Sequence, residues 1–590
     1  MPNYEELSNI RGVAQDWLDS FRLAVYSGDA DAFVNCMAAD GWFRDLLTFS
    51  WEFKTMKGRD ATKAYLCQEL ASAKISNIDF DDENPPSIGH FGPRRRLVDV
   101  GFTFETPRAY GQGYVRINFP VNSSVDGPDD GDRKAFGLLL MLKDWKGYEE
   151  SKYESGISDR EALYWEEIEK KRRNEIEEDP SALIIGGGQT GLNVAARFRQ
   201  MNIKAIIVEK NARVGDNWRK RYPTLALHTP RIHHNFLYEP FPSNWPKYTP
   251  KERLANWMEQ YALTQDLVVW LKSTVEGHPV YNSETGKWDV TVNKNGGRMT
   301  LHPSHIVIAT SMYGKPIIPS LEGLDLFRGQ ILHSSEYHGG SPFANKSVVV
   351  VGSGNSSADV CQDLVFRGAS SVTMVQRSAS GVVSEKLMGA GLAANFPEGR
   401  RVERSDLSAA ATPIVAVRQL MQETRHYRLD FDKEMLDGLR KVGFNVTDGN
   451  DNAGVPLMVY ARGGVIDVGC APLIIEGRVK VKQGVGISKL TESTIVFEDG
   501  TILEADAIIF ATGWVSIRED LKEVFGEEAI QKTSEIWGIG EDGEIHAGYN
   551  FSGQPGLWYT WGGFNHSRFY SKHLALFIKA IELGYFNYGQ

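Results

Sequence analysis

Cysteine is scarce. The 590 residues carry four, Cys36, Cys67, Cys361 and Cys470, and no two stand in CxxC spacing. That argues against a zinc site, a disulfide framework and a dithiol reductase centre, so no metal is expected and the cytoplasm is the expected setting. Long apolar runs are missing too. No stretch of about 18 apolar residues occurs, so no membrane-spanning helix is expected. The opening "MPNYEELSNI" is too acidic and polar for a secretory leader. Excess positive charge is also absent. A net charge of −11 disfavours nucleic acid or an anionic membrane as a partner. Glycine, by contrast, is plentiful at 58 residues, which suits tight turns and phosphate-binding loops.

The length predicts about three or four domains. Residues 1–150 read as an α+β unit. "NIRGVAQDWLDSFRLAVYSGDADAFVNCMA" has helical periodicity broken at Ser27-Gly28, and "LVDVGFTF", "GYVRINF" and "AFGLLLMLKDW" are strand-like. Trp42, Phe43, Arg44 and Asp45 could line a pocket, but core packing is the expectation. No carboxylate pair with catalytic spacing stands there, so a structural or dimerising role is expected. Residues 151–180 contain "DREALYWEEIEKKRRNEIEE", densely charged with few apolar positions. That pattern predicts a solvated linker helix, ended before Pro180, and hence a separable N-terminal unit.

"ALIIGGGQTGLNVAARFRQMNIKAIIVEK" runs from Ala182 through a strand, a glycine loop, a helix and a second strand. In Gly186-x-Gly188-x-x-Gly191, the first glycine permits the turn and the second lets a pyrophosphate approach. The third lets helix and strand pack closely. Gln189 and Thr190 open the helix, whose free N–H groups face the phosphates. Glu209, followed by Lys210, ends the next strand, where a carboxylate accepts hydrogen bonds from ribose hydroxyls.

"SVVVVGSGNSSADVCQDLVFRGASSVTMVQRS" repeats the plan as Gly352-x-Gly354-x-x-Ser357, with Ser353, Asn355 and Ser356 completing the loop. The next strand ends without an acid, in Gln376, Arg377 and Ser378. An arginine there pairs with a ribose 2′-phosphate that an acid would repel. The first loop therefore reads as an FAD site and the second as an NADPH site. "LHPSHIVIATSMYGKPIIPSLEG" and "TILEADAIIFATGW" each pair an apolar strand with a small-residue turn, Ala309-Thr310-Ser311 and Ala511-Thr512-Gly513. Thr512 and Gly513 are expected to return the chain beside the flavin. The fold expected is α/β: two Rossmann-like domains, with an NADPH domain (340–505) inserted between the halves of an FAD domain (181–339 and 506–590).

Between the loops stands "FRGQILHSSEY". Its Phe327-x-Gly329-x-x-x-His333-x-x-x-Tyr337 resembles the fingerprint of the class B flavin-dependent monooxygenases. "GDNWRKRY", which holds Asn217, Trp218 and Arg219, and "FPSNWPKYTPKERLANWMEQYA" add to the likeness. From about residue 180 the chain resembles their flavin-containing monooxygenase branch, including the plant YUCCA-like enzymes. By element order alone, the N-terminal unit resembles NTF2-like (SnoaL-like) domains, which hold a ligand pocket or mediate dimerisation. A homodimer through this unit is therefore an expectation.

The resemblance implies an enzyme that uses FAD, NADPH and O2. It would insert one oxygen atom into a small organic substrate through a flavin hydroperoxide. N- or S-oxygenation and oxidative decarboxylation of an aryl-pyruvate are the implied reactions. Baeyer–Villiger oxidation of ketones is the alternative. That branch usually ends the fingerprint in tryptophan, so Tyr337 leans away from it. A non-catalytic nucleotide-holding protein is the alternative of another class. By resemblance, His333 holds the junction of the nucleotide domains, and His228, His333 and Tyr337 are the candidate catalytic residues. In "LALHTPRIHHNF", His228 and Thr229 stand where many members place an asparagine near the flavin, and His228 is the expected contact to the oxygenating centre. Asn565, with His566 and Ser567, is expected beside the flavin from the C-terminal side.

Overall fold

Alternating side chains decide the N-terminal unit. In the computed structural model, which describes residues 4–93, 95–119, 133–151, 164–447 and 464–588, its seven strands form one sheet. All pairs are antiparallel except Met37–Leu46 with Ala135–Trp145. Val98, Val100, Phe102 and Phe104 face one way and bury against the helices Tyr4–Ser27 and Gly58–Ala73. Phe21 stacks on Trp17 at 4.9 Å and meets Phe102 edge-on at 5.4 Å, so aromatic rings fill this face. Trp42, Phe43, Arg44 and Asp45 are all buried, as core packing requires. Asp45 accepts from Thr48 N–H (2.9 Å) and the Tyr65 hydroxyl (2.7 Å), and burial raises its pKa to about 6. It holds a turn.

The opposite face of this sheet is covered by the rest of the same chain. Leu46, Tyr114, Leu139 and Trp145 share a core with Leu407, Ala411, Leu574 and Phe577, and Trp145 Nε1 donates to the Leu576 carbonyl at 2.8 Å. The linker helix Trp165–Glu178 forms with no buried residue, as its composition predicts. The expected separable unit does not. A charged linker reports on its own solvation and carries no information about the faces it joins.

The first nucleotide unit is a parallel sheet ordered Val269–Trp270, Ala205–Val208, Ala182–Ile185, His305–Ile308 and Leu557–Tyr559. Its strands are short and apolar because both faces are covered. The helices Gln189–Gln200 and Phe564–Glu582 lie on one side, and the ribbon Ser273–Asn282, Lys287–Lys294 and Gly297–Leu301 on the other.

The second unit is a parallel sheet ordered Gln330–His333, Ala507–Phe510, Ser347–Val351, Ser371–Gln376 and Val479–Gln483. The expected limits of 340 and 505 therefore fall inside its strand set. Gln330–His333 and Ala507–Phe510 belong to the second sheet, not the first. The chain crosses between the units at Tyr313–Pro316 and returns at Trp514–Ser516, and these segments pair antiparallel as a two-stranded ribbon. Between Ser371–Gln376 and Val479–Gln483 comes a helical insertion that includes Glu385–Asn395, Val402–Ala410 and Ile414–Glu423. It reaches back over both other units. Among the described residues, no helix is long and apolar enough to cross a membrane.

Candidate active site

Close packing explains two glycines of the first loop, and open space explains the third. A Cβ on Gly186 would stand 2.7 Å from the Ala309 carbonyl, and one on Gly191 would stand 2.0 Å from the Gly186 carbonyl. A Cβ on Gly188 would meet only Asn217 Nδ2, at 3.7 Å. The space before Gly188 is a cradle, and the helix Gln189–Gln200 starts there without a side-chain cap. Thr190 is buried behind the loop and Lys210 is exposed. Glu209 is buried and accepts from Gly187 N–H (2.7 Å), Asn211 N–H (2.8 Å) and Asn211 Nδ2 (2.7 Å). A carboxylate is thus fixed at the strand end by three hydrogen bonds.

Asn217, Trp218 and Arg219 form one short helix, Asp216–Arg219. Asn217 faces Gly188, and Arg219 turns to the protein. Its guanidinium donates to the Val214 carbonyl (2.6 Å) and Glu259 (2.9 Å), holding the loop against the helix Lys251–Thr264. Trp218 Nε1 is buried with no partner among the described residues.

The second loop repeats the packing. A Cβ on Gly352 would stand 2.4 Å from the Ala511 carbonyl, while one on Gly354 meets nothing within 4 Å. Ser357 is buried, and its Oγ lies 3.0 Å from where a Gly352 Cβ would be. Each small-residue turn therefore backs its own loop. Ala309-Thr310-Ser311 lies behind the first, and Ala511-Thr512-Gly513 behind the second. Thr512 and Gly513 follow at the crossing between the units, where Thr512 Oγ1 donates to the Ile317 carbonyl and the Gly513 carbonyl accepts from Ile317 N–H at 3.0 Å. Similar small-residue turns follow parallel strands in either sheet, so their sequences do not say which.

Ser353 and Ser380 pair through their hydroxyls at 2.8 Å, and Asn355 Oδ1 accepts from Ile466 N–H at 2.9 Å. Ser356 follows in the first helical turn. Gln376 is buried and bonds the Asn445 backbone both ways, at 2.9 and 2.7 Å. Arg377 and Ser378, just beyond it, are exposed at the strand's C-terminal end.

His228 faces the second unit. Its Nε2 lies 3.2 Å from Oδ1 of Asp359, on the helix Asn355–Phe366, and the Tyr222 hydroxyl donates to the other oxygen of Asp359. Burial opposes the charge on His228, but the hydrogen bond and charge of Asp359 raise its pKa above the usual value. Thr229 is bonded through Oγ1 to His234 Nε2. His233 and His234 are held neutral, burial pushing His233 down to about 3.

The C-terminal helix Phe564–Glu582 also starts without a side-chain cap. It follows Leu557–Tyr559, so its start and that of Gln189–Gln200 face one edge of the sheet. Asn565 and His566 stand there half-buried, and His566 Nδ1 accepts from Gly563 N–H at 3.2 Å. Ser567 lies behind them, buried, and accepts from Asn193 Nδ2 at 2.8 Å. Two uncapped helix starts, an open glycine cradle and a fixed carboxylate fit an anionic dinucleotide, whose phosphates accept from the free N–H groups and whose ribose hydroxyls donate to the carboxylate.

The fingerprint is a strand followed by a one-turn helix, Ser334–Glu336, which explains spacings that fit neither face. His333 is fully buried. Its Nδ1 accepts from Ser335 N–H at 3.2 Å, and its ring meets Trp514 of the crossing ribbon edge-on at 5.0 Å. Burial lowers its pKa. Tyr337, a candidate for the chemistry, is also buried; its hydroxyl donates to Asp363 at 2.7 Å. It anchors the helix Asn355–Phe366. Sequence reasoning missed Asp359 and Asp363, whose i,i+4 spacing on that helix was a visible signal. It also missed Arg568 and Asp406, a buried pair far apart in the chain that left no signal.

A family model described as flavin-binding monooxygenase-like matches residues 181–532. The chain is 30% identical over 395 residues to the probable indole-3-pyruvate monooxygenase YUCCA4 of Arabidopsis thaliana, covering 64% of this chain and 87% of that one. It is 30% identical over 358 residues to the indole-3-pyruvate monooxygenase YUCCA1 of Oryza sativa subsp. japonica, covering 60% and 82%. Among solved structures, ε-caprolactone-bound cyclohexanone monooxygenase is 17% identical with a TM-score of 0.50, over 68% of this chain and 88% of that one. That last likeness is one of fold. The N-terminal unit lies outside the family match, which spans more than half of the chain and takes in both glycine loops and the fingerprint. This chain belongs to the flavin-binding monooxygenase-like family and is a flavin-dependent monooxygenase.

Proposed function

We propose that the protein uses FAD at the first loop and NADPH at the second to transfer one atom of O2 to a small aryl-substituted 2-oxo acid. The observation that carries the cofactor assignment is the contrast between the strand ends, a buried Glu209 against an exposed Arg377 and Ser378. The names of the plant relatives, indole-3-pyruvate monooxygenases, support the substrate class. When bound, the flavin supplies reaction with O2 and oxygen transfer, after reduction by the nicotinamide.

The chain's own residues bind, orient and exclude water. The Gly188 cradle and the start of Gln189–Gln200 hold the first pyrophosphate, and Glu209 orients its ribose. The Gly354 opening and the start of Asn355–Phe366 do the same for the second nucleotide, with Arg377 on its 2′-phosphate. His228 keeps its Nε2 proton toward Asp359 and so joins the two units at the site. His233, His234 and His566, neutral through burial, and Phe564 form a wall that offers water little. His333 holds the crossing ribbon through Trp514. We read the N-terminal unit, helices on one face of a seven-stranded sheet, as NTF2-like with a structural role. Its element order supports this.

The test is NADPH consumption with product identification on aryl-pyruvates, amines, sulfides and ketones. Decarboxylated aryl acid from the aryl-pyruvate is expected, and ester from a ketone with no turnover of the aryl-pyruvate would overturn the substrate class. Arg377→Ala should raise KM for NADPH about ten- to a hundredfold, the loss of about 1.5–3 kcal/mol of charge-assisted bonding. Equal wild-type use of NADH and NADPH would refute the assignment of the second loop.

A further inference from the structure

Two arginines of the N-terminal unit reach into the catalytic body. Arg44, 4% exposed, lies on the strand Met37–Leu46 and points away from the unit's own helices. Its Nε donates to Glu544 at 2.7 Å, Nη2 to Glu544 and the Tyr570 hydroxyl (2.7 Å), and Nη1 to the Ala410 carbonyl at 2.6 Å. One side chain thus joins the loop before the last strand, the C-terminal helix and the end of Val402–Ala410 in the helical insertion. Arg116, from Ala109–Asn118, donates through Nη2 to the Ser408 carbonyl (2.7 Å) and hydroxyl (3.1 Å). Beside them Trp42, Phe91, Leu97 and Phe136 bury Ala416 of the next helix.

The held helix carries Asp406. Both its oxygens accept from Arg568, at 2.8 Å each, and the side chains are only 5% and 2% exposed. The remaining Arg568 nitrogen, Nη1, donates to the carbonyls of His233 (3.0 Å) and Asn235 (2.6 Å). Those carbonyls belong to the turn that places His234 on Thr229. A guanidinium fork fixes direction as well as distance. Arg568 therefore holds the 231–235 turn in place only while Asp406 stays in register. Asp406 in turn is held by the two arginines of the N-terminal unit.

We propose that the N-terminal unit is a brace for the active site, and that Arg44 and Arg116 are positioning residues for it. They hold Val402–Ala410 and, through Asp406 and Arg568, the wall of the flavin site from 228 to 235. The turnover part of the test rests on the function proposed above.

The test uses the full chain carrying Arg44→Met with Glu544→Gln, so that no buried charge is orphaned. Arg116→Met with Asp99→Asn is made in parallel. Hydrogen exchange is measured for peptides spanning 231–235 and 402–411. Exchange in both should rise about tenfold or more while flavin content is kept, and the peroxide formed per NADPH oxidised should rise severalfold at unchanged KM for NADPH. Arg44→Lys keeps its charge on Glu544 but loses the fork to Ala410 and Tyr570. It should give an intermediate peroxide ratio with flavin content kept and a melting temperature between those of the wild type and the Arg44→Met pair. Unchanged exchange at 231–235 in both pairs of substitutions would overturn the brace, as would a wild-type peroxide ratio in Arg44→Lys. If one pair fails to fold, the other pair and Arg44→Lys decide. The exchange measurement needs no turnover, so a wild type that oxidised no NADPH would refute the proposed function and leave the brace to be judged by exchange.

Discussion

Asp359 receives Tyr222 and His228 from the other nucleotide unit, and that makes one contact between the units dependent on pH. The folded pKa of His228 lies above its ordinary value of about 6.5. Asp359 and, farther off, Asp467 are the charges that face it. The bridge is therefore fully charged below about pH 6.5 and is lost as pH rises through the raised value. The rate of flavin reduction by NADPH should fall across that alkaline limb, and His228→Gln should flatten it. An identical limb in the variant would assign the titration elsewhere. Gly188 supports a second expectation. Because its Cβ would meet only Asn217 Nδ2, Gly188→Val should leave the melting of the flavin-free protein nearly unchanged yet give colourless protein. Gly191→Ala, whose Cβ would stand 2.0 Å from a carbonyl, should fail to fold well. A yellow Gly188→Val protein would show that the cradle holds no flavin.

Tyr337 shows at the level of elements how strand, turn and helix share one motif. Its hydroxyl and Gly340 N–H both bond Asp363, each at 2.7 Å. Tyr337→Phe removes one of them and should cost about 1–2 kcal/mol of stability, seen as a lower melting temperature with kcat little changed. A large fall in kcat at wild-type stability would return Tyr337 to the chemistry. Both glycine loops were legible in the sequence because strand, loop, helix and strand end lie within one contiguous stretch. The sheet that Ala507–Phe510 joins was not, because four apolar residues fit the middle of either parallel sheet equally. The roles of Arg219 and Tyr337 were hidden for a related reason. Their partners, Glu259 and Asp363, are set by how helices pack, not by spacing within the motif.

At the scale of the whole molecule, the N-terminal unit is part of the core. Trp51 packs on Phe577 at 5.5 Å, and Lys572 of the C-terminal helix is paired with Asp144 at 2.5 Å. A chain starting near residue 179 would expose the apolar face around Phe577 and Leu407 and leave Glu544 and Lys572 without partners. It should be recovered poorly or aggregated, with little flavin, as soluble yield and absorbance would show. A soluble, flavin-loaded truncation of wild-type stability would contradict the shared core. The linker helix hid this in the sequence, since nothing in residues 1–150 names the residues beyond 400 that cover its sheet.

The crossing ribbon has a consequence for inheritance. Because Tyr313–Pro316 and Trp514–Ser516 lie side by side, the segment between them leaves and re-enters at one place. Such a segment could be exchanged among relatives by recombination without disturbing the first sheet. Here it is not free to travel alone. A donor segment with a different helix at 402–410 would leave Arg44 and Arg116 buried against carbonyls that were no longer there. The N-terminal unit and the helical insertion, separated by more than two hundred residues, are tied by these contacts, so exchanging either alone should lower the melting temperature of the chimaera.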